Sequence, residues 1–342
     1  GSLLGKRVDF SGRAVITVGP AIKINEIGLP LRLAVGLFEP FIIFQVMYVQ
    51  KENLERLSTG IKTFLKAEVT VDSVKKILRS IKNNDKIPDD LYSLIFEATE
   101  SAMKDRMVIA KRDPDLHALS MRGFTPVLIR GNTLQICPLQ VKGFNADFDG
   151  DQIAVYHPLS DEAQKEIKEK MTRSFSGSSS TSMSYELSGE MFVGLFLLTK
   201  DKNLPTKSPI SVSKADLDKL AVNPYEPVMF KGRNTTLGKA IINGCFPDDF
   251  KFIDEQLTKS RVQKILRELL LKYGDKITED AAYKLGQIGF RYVTMFGPSV
   301  SLDQLEIPKE IYDLKKRLDS ATTEQAQEVL DKMRSIIMKE FK

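Results

Sequence analysis

The stretch NADFDGD, residues 145–151, sets three aspartates at every second position. If it is extended, Asp147, Asp149 and Asp151 project to one face and Phe148 to the other. Like charges placed this way repel, at a cost in free energy unless a cation sits among them. On a straight strand alternate residues are about 7 Å apart, too far to share one ion. The stretch must therefore curl, and Gly150 supplies a backbone permissive enough for the curl.

Three readings compete for this loop. A polar turn explains Asp149-Gly150, a common turn dipeptide, but not three acids in five residues between apolar segments. A helix-loop-helix calcium site fits Asn145, Asp147, Asp149 and Gly150 at its first, third, fifth and sixth positions. Its twelfth position should be a bidentate Glu and is Tyr156, and the flanks read as strands, so this reading fails. A magnesium site remains. Mg²⁺ takes oxygen ligands at about 2.1 Å in near-octahedral geometry and leaves positions for water or substrate. Phosphoryl transfer needs such a centre.

The flanks define the setting. PVLIRGNTLQICPLQV (126–141) reads as strand, with RGN (130–132) as a hairpin turn between VLI and LQI. QIAVYHP (152–158) is another strand, and LSDEAQKEIKEKM (159–171) a helix capped by Ser160. Upstream, residues 6–29 alternate as strands do, punctuated by Gly12, Gly19-Pro20 and Gly28 to Pro30. From about 31 to 104 the pattern is helical. VDSVKKILRSIKNN (71–84) spaces Val74, Ile77, Leu78 and Ile81 for one helix face, with Thr70 or Asp72 as cap. DDLYSLIFEATESAMKDR (89–106), preceded by Pro88, repeats the pattern with Leu91, Leu94, Ile95 and Ala98. A β region split by a helical insertion is expected.

Downstream, the Ser-rich residues 174–184 read as a flexible loop. Residues 188–200 predict a buried helix, and 233–244 a strand or turn leading into a short helix. Residues 258–274 predict an amphipathic helix closed by Gly274. Residues 280–302 predict a helix and a glycine-marked loop, and 307–342 a charged helical hairpin.

Composition sets bounds. The chain has 342 residues, 42% hydrophobic and 28% charged, which suits a soluble globular protein of two or three domains. No run of about 18 apolar residues predicts a membrane span, since FIIFQVMYVQ (41–50) is short and contains Gln45. Cys137 and Cys245 form no CxxC pattern, and two histidines exclude a His-rich metal site, so a reducing cytoplasm is expected. Gly1-Ser2 reads as a cloning remnant with no signal peptide after it, so the natural chain is expected to begin further upstream. The net charge of +5 permits a polyanionic partner. Basic residues gather in 1–23 (Lys6, Arg7, Arg13, Lys23) and in 101–135, beside the aspartates. His117 and His157 read as hydrogen-bonded packed residues, and the 11 methionines as core filler.

FNADFDGDQIAVYHPLSDEAQKE (144–166) closely resembles the active-site loop of the largest, beta-prime-type subunit of multisubunit DNA-directed RNA polymerases. LLGKRVDFSGRAVITVGP (3–20), LPLRLAVGLFEPFI (29–42) and FTPVLIRGNTLQICPL (124–139) resemble segments of that subunit in the same order. So do MFVGLFLLT, NTTLGKAI and GFRYVTMFGPSVSLDQLEIP (289–308), and the resemblance covers nearly the whole chain.

The resemblance implies an α+β fold, a double-psi β-barrel with a helical insertion, followed by mostly helical pore- and funnel-like segments. The barrel would take residues 1–35 and 105–160, the insertion 36–104, a pore-like segment with the Ser-rich loop 161–235, and a funnel-like region 236–342. It implies nucleotidyl transfer from NTPs to an RNA 3′ end. Asp147, Asp149 and Asp151 would hold catalytic Mg²⁺, with a second ion carried in by the nucleotide. Asn145 would sense the ribose 2′-hydroxyl. Arg112, in KRDPDLH, would lie near the nucleotide sugar, against the plain alternative of a surface salt bridge to Asp113 or Asp115. Lys6, Arg7 and Arg13 would contact the nucleic-acid backbone.

Implied partners are a beta-type subunit, the remaining beta-prime portions (clamp, bridge helix, trigger loop), DNA template, RNA and NTPs, with no membrane. Activity is expected only in that assembly. The Ser-rich segment and the sequence after Phe41 depart from the family, and the chain reads as a central fragment or a split-subunit polypeptide of a bacteriophage kind, placed in the host cytoplasm or virion. Two other functions compete. A non-catalytic polymerase-like scaffold would not need the intact Asn145 and aspartates. A two-barrel RNA-dependent RNA polymerase would carry a second, basic barrel.

Overall fold

The protein is described by a computed structural model covering residues 8–49, 54–172, 186–187, 189–200, 208–217, 223–299, 301, 307–318 and 323–340. Six strands close into a barrel: β1 (Ser11–Val18), β2 (Glu26–Pro30), β3 (Val108–Lys111), β4 (Met121–Ile129), β5 (Leu134–Ile136) and β6 (Gln152–Tyr156). Their order around the barrel is β1-β5-β2-β4-β3-β6, and antiparallel pairing of β6 with β1 (Ile153 opposite Ala14) closes it. Successive side chains of a strand point to opposite faces, and Ile16, Ile27, Val108, Ala110, Leu134, Ile153 and Val155 are the ones that turn inward and are buried.

The expected hairpin at 130–132 does not form. Gly131, at φ 114°, does turn the chain. However, β4 pairs with β2 and β3, and β5 with β1 and β2. β2 lies between the two segments that the turn connects. The turn residues encode a reversal of direction; they do not encode which strand becomes the neighbour.

Between β2 and β3 run the helices α1 (Leu31–Leu37), α2 (Glu39–Phe44, continued by a π-helical turn at Gln45–Val49), α3 (Leu54–Leu65), α4 (Val71–Asn83) and α5 (Asp89–Met103). Thr70 caps α4 in a reciprocal box with Ser73, and Asn84 ends it in a left-handed conformation. The predicted faces are the buried ones: Val74, Ile77, Leu78 and Ile81 in α4, and Leu91, Leu94, Ile95 and Ala98 in α5. These side chains and the barrel interior form one continuous core. No single described helix is long and apolar enough to cross a membrane; α1 and α2 are bent by 89°.

His157, just after β6, fastens the helices to the barrel. Its Nδ1 bonds to the Leu37 carbonyl at 2.9 Å, and its ring stacks on Phe38 at 3.9 Å. It is packed and hydrogen-bonded, as expected. His117 is hydrogen-bonded too, its Nδ1 accepting from the Leu119 amide, but it lies exposed rather than packed.

Burial holds the His157 pKa down, to about 4, with the charge of Arg106 adding to the effect against the Leu37 bond. An unfolded histidine binds its proton near pH 6.5. Between these values the unfolded chain holds the extra proton, so stability is full above about pH 6.5 and falls as the pH drops towards 4, by up to roughly 3 kcal/mol. His157→Gln should flatten this part of the profile. The check is the melting temperature at pH 7 and pH 5 for both proteins, and equal slopes would contradict the assignment.

Past the barrel come α6 (Asp161–Glu166, capped by Ser160 as expected and continued by a π-helical turn at Ile167–Met171) and α7 (Glu190–Leu198). A three-stranded sheet follows: β7 (Ile210–Ser211), β8 (Pro227–Phe230) and β9 (Arg233–Thr236), with α8 (Leu237–Gly244) after it. Strands β7 and β8 carry no signal strong enough to have been read from sequence. The Ser-rich residues 174–184 lie outside the described residues. Helix α9 (Lys259–Tyr273) ends at Gly274 as expected, and α10 (Asp275–Phe296) follows at once. The chain divides into two compact units, Gly1–Met295 and Phe296–Lys342. In the second, α11 (Lys309–Leu318) and α12 (Thr323–Glu340) pack against each other as a helical pair.

Candidate metal centre

The aspartate loop spans the gap between the 3-10 turn Pro138–Gln140 and β6, and it is anchored at both ends. At its start Phe144 is buried against Phe124, ring centroids 5.8 Å apart, with the Arg122 guanidinium 4.5 Å over its ring. Lys142 pairs with the buried Glu186, which also takes Lys259 at 3.2 Å. At its end the Ile16 amide donates to the Asp151 carbonyl at 2.9 Å, tying the loop to β1. Between these anchors the chain does curl. Asn145 sits at φ 47° and Gly150 at φ 124°, a region that disfavours side chains. The Ala146 amide donates back to the Val141 carbonyl at 3.0 Å.

The curl gathers the carboxylates. Asp147, Asp149 and Asp151 each offer an oxygen, and these oxygens lie within 4.8 Å of one another. An octahedral ion with bonds of about 2.1 Å spaces its ligand atoms about 3 Å apart when adjacent and about 4.2 Å when opposite. The observed bound of 4.8 Å lies near that range, and an all-carboxylate set suits a hard cation such as Mg²⁺. The residues present therefore fit the ion. Among the described residues, no other three His, Cys, Asp or Glu side chains converge in this way.

The three carboxylates are not equivalent. Asp151 is held below the usual carboxylate range, first by the Asp147 backbone N–H, which donates to Oδ2 at 3.1 Å, and also by Arg112. Asp147 is pushed upward, chiefly by a side-chain hydrogen bond with Asp149, then by burial and by the neighbouring negative charges. Asp151 is thus favoured as an anion, while the neighbouring carboxylates disfavour the charge on Asp147.

Arg112 follows β3, its amide donating to the Ser120 carbonyl. Its side chain does not take Asp113 or Asp115. It reaches Asp151, with Nε at 2.9 Å and Nη2 at 2.8 Å from Oδ2. Lys111 claims the other two acids, Asp113 at 2.9 Å and Asp115 at 3.0 Å. The surface-pair alternative for Arg112 is overturned, because successive residues leaving a strand point to opposite sides. Asn145 is exposed, and its carboxamide makes no hydrogen bond with the described residues. Arg13, on β1, is half-exposed and 3.9 Å from Asp113. Lys6 and Arg7 lie outside the described residues. Sequence reasoning missed two cations near Arg13, Arg32 and Lys82. Together these line a groove of about 510 Å³ between β1, α1 and α4, without a carboxylate in its walls.

A family model described as RNA polymerase Rpb1, domain 2 matches residues 5–172. Relatives named DNA-directed RNA polymerase subunit beta' match most of the chain. The one from a Hydrogenobaculum species is 32% identical, over 98% of this chain and 20% of its own length. Those from a Sulfurihydrogenibium species and from Methylibium petroleiphilum are each 34% identical, over 90% and 94% of this chain and 19% and 23% of their own. The chain spans about a fifth of the length of these relatives.

Proposed function

Residues 5–172 belong to the RNA polymerase Rpb1 domain 2 family and the chain is of the beta-prime type over most of its length; from that premise we propose that it forms the catalytic, magnesium-holding part of a DNA-directed RNA polymerase. The barrel would be of the double-psi kind, residues 161–235 would provide the pore-like segment, and residues 236–342 the funnel-like region. The observation that carries the reading is the convergence of three carboxylates within 4.8 Å on a curled loop between barrel strands.

In the proposed reaction an RNA 3′-hydroxyl attacks the α-phosphate of a nucleoside triphosphate and pyrophosphate leaves. Asp147, Asp149 and Asp151 would hold Mg²⁺, which when bound supplies charge neutralisation and a more acidic hydroxyl. Asp151 keeps the site anionic through its hydrogen bonds. Asp147 and Asp149 would complete the ligand set. Asn145, held by its left-handed backbone with a carboxamide that has no partner among the described residues, can both donate to and accept from a ribose hydroxyl. Arg112 stands beside the same carboxylates, where a nucleotide sugar would lie. A beta-type subunit would supply further cations for the phosphates, so activity belongs to the assembly with DNA, RNA and NTPs, in the cytoplasm of the cell where transcription runs.

The groove of Arg13, Arg32 and Lys82 would seat a nucleic-acid backbone. Arg32 spends its Nε on the Lys82 carbonyl at 2.6 Å and keeps its two terminal nitrogens. Each phosphate contact on a single strand contributes about 0.7 to the slope of log K against log salt. Replacing Arg32 and Lys82 by Ala together should lower the slope of the assembled enzyme by about 1.4 if both touch phosphate. A salt titration of template binding reads this directly, and an unchanged slope removes both residues from the interface.

The test of the whole reading is reconstitution. The chain is expected to co-purify with a beta-type subunit and the remaining beta-prime portions, and the complex to incorporate NTPs on a DNA template with Mg²⁺. A complex that assembles but never polymerises, with all three aspartates intact, would favour a scaffold.

A further inference from the structure

We propose that Arg112 is a positioning residue for the metal centre, clamping one oxygen of Asp151 so that the other is presented to the ion. The inference rests on the reading of the three aspartates as a metal site, and it gives Arg112 a role separate from any contact with the nucleotide.

The geometry of the clamp is specific. An arginine facing a carboxylate commonly sets two parallel N–H bonds on two oxygens. Here Nε and Nη2 both approach Oδ2, at 2.9 and 2.8 Å. The Asp147 amide donates to that same oxygen at 3.1 Å. Three donors thus converge on Oδ2, and Oδ1 receives none of them. A fork on both oxygens would compete with an ion for the carboxylate; a clamp on one oxygen orients it.

The clamp is itself held rigidly. The Arg112 amide donates to the Ser120 carbonyl at 3.0 Å, and the Asp151 carbonyl receives the Ile16 amide at 2.9 Å, so the turn before β4 and strand β1 fix the two ends of the pair. The side chains are 17% and 22% exposed, so water screens the pair less than a surface ion pair. The acids nearest in sequence, Asp113 and Asp115, are engaged by Lys111, which leaves Arg112 committed to the loop. Asp147 and Asp149, by contrast, are exposed and make no such contact with a cation among the described residues. The centre is therefore built around one pre-set ligand and two that close on it.

Losing a hydrogen-bond partner that orients a metal ligand typically costs 10- to 100-fold in metal affinity. In the assembled complex, Mn²⁺ binding followed by electron paramagnetic resonance should weaken by that factor in Arg112→Ala. Arg112→Lys keeps the charge but not the two-point geometry, so it should fall between Ala and wild type. Should the alanine variant assemble poorly, Arg112→Gln against Arg112→Lys carries the same comparison. The apparent Mg²⁺ activation constant should rise in parallel, with much of the maximal rate recovered at high Mg²⁺. Mn²⁺ affinity unchanged within about two-fold, with only the nucleotide KM raised, would make Arg112 a sugar contact and overturn the clamp. Asp151→Asn is the control: if it too binds Mn²⁺ normally, the metal site lies elsewhere, and the underlying reading fails rather than the clamp alone.

Discussion

Asp149→Ala, in the proposed complex with a beta-type subunit, is expected to lower RNA synthesis by at least about a thousand-fold while leaving assembly intact. An active-site ion contributes several kcal/mol of transition-state stabilisation, and about 1.4 kcal/mol corresponds to a factor of ten in rate. The fold should not suffer. Asp149 is exposed, it belongs to a loop anchored by Phe144 and by the Asp151 carbonyl, and its neighbours in the cluster are other acids. Its removal relieves repulsion, so stability should hold or rise slightly. Co-purification and template-directed NTP incorporation on one preparation separate the two effects. Retained synthesis in a well-assembled variant would remove Asp149 from the site.

Gly194→Ala is the second large effect, and it acts on packing. Gly194 in α7 and Gly289 in α10 meet backbone to backbone: a Cβ on Gly194 would fall on the Gly289 carbonyl, and one on Gly289 on the Met191 carbonyl. In an ordinary helix Gly→Ala stabilises by about 1 kcal/mol. Here the added methyl has nowhere to go, because its neighbours are main-chain atoms and not the movable end of a side chain. The two helices would have to part, loosening Met191, Leu195 and Leu285, which are buried between them and their surroundings. Overpacking of this kind costs about 1–3 kcal/mol, at the upper end for a rigid contact, so a net loss of about 2 kcal/mol is expected. The measurement is the denaturant midpoint at unchanged slope. A midpoint that moves upward would show the crossing to be open.

The sequence made the acidic loop legible because its charges pose an electrostatic problem that few structures solve. It also carried local structure well: the α4 and α5 faces, the caps at Thr70 and Ser160, and the stop at Gly274 are written in residues a few positions apart. Three long-range features were not legible. Residues 130–132 announce a turn, but only tertiary pairing decides that β2 enters between β4 and β5. Arg112 has two acids within three residues, yet strand alternation gives them to Lys111 and turns Arg112 to an aspartate 39 positions on. The groove cations Arg32 and Lys82 lie 50 residues apart and meet only when α4 docks beside α1. Each miss is a long-range contact, which neither periodicity nor spacing encodes.

Crystals of the assembled enzyme soaked in Mn²⁺ test the central claim most directly, by anomalous diffraction. An ion bonded to Asp147, Asp149 and Asp151 together is the predicted result. An ion bound elsewhere, with the three side chains turned away from one another, would contradict it.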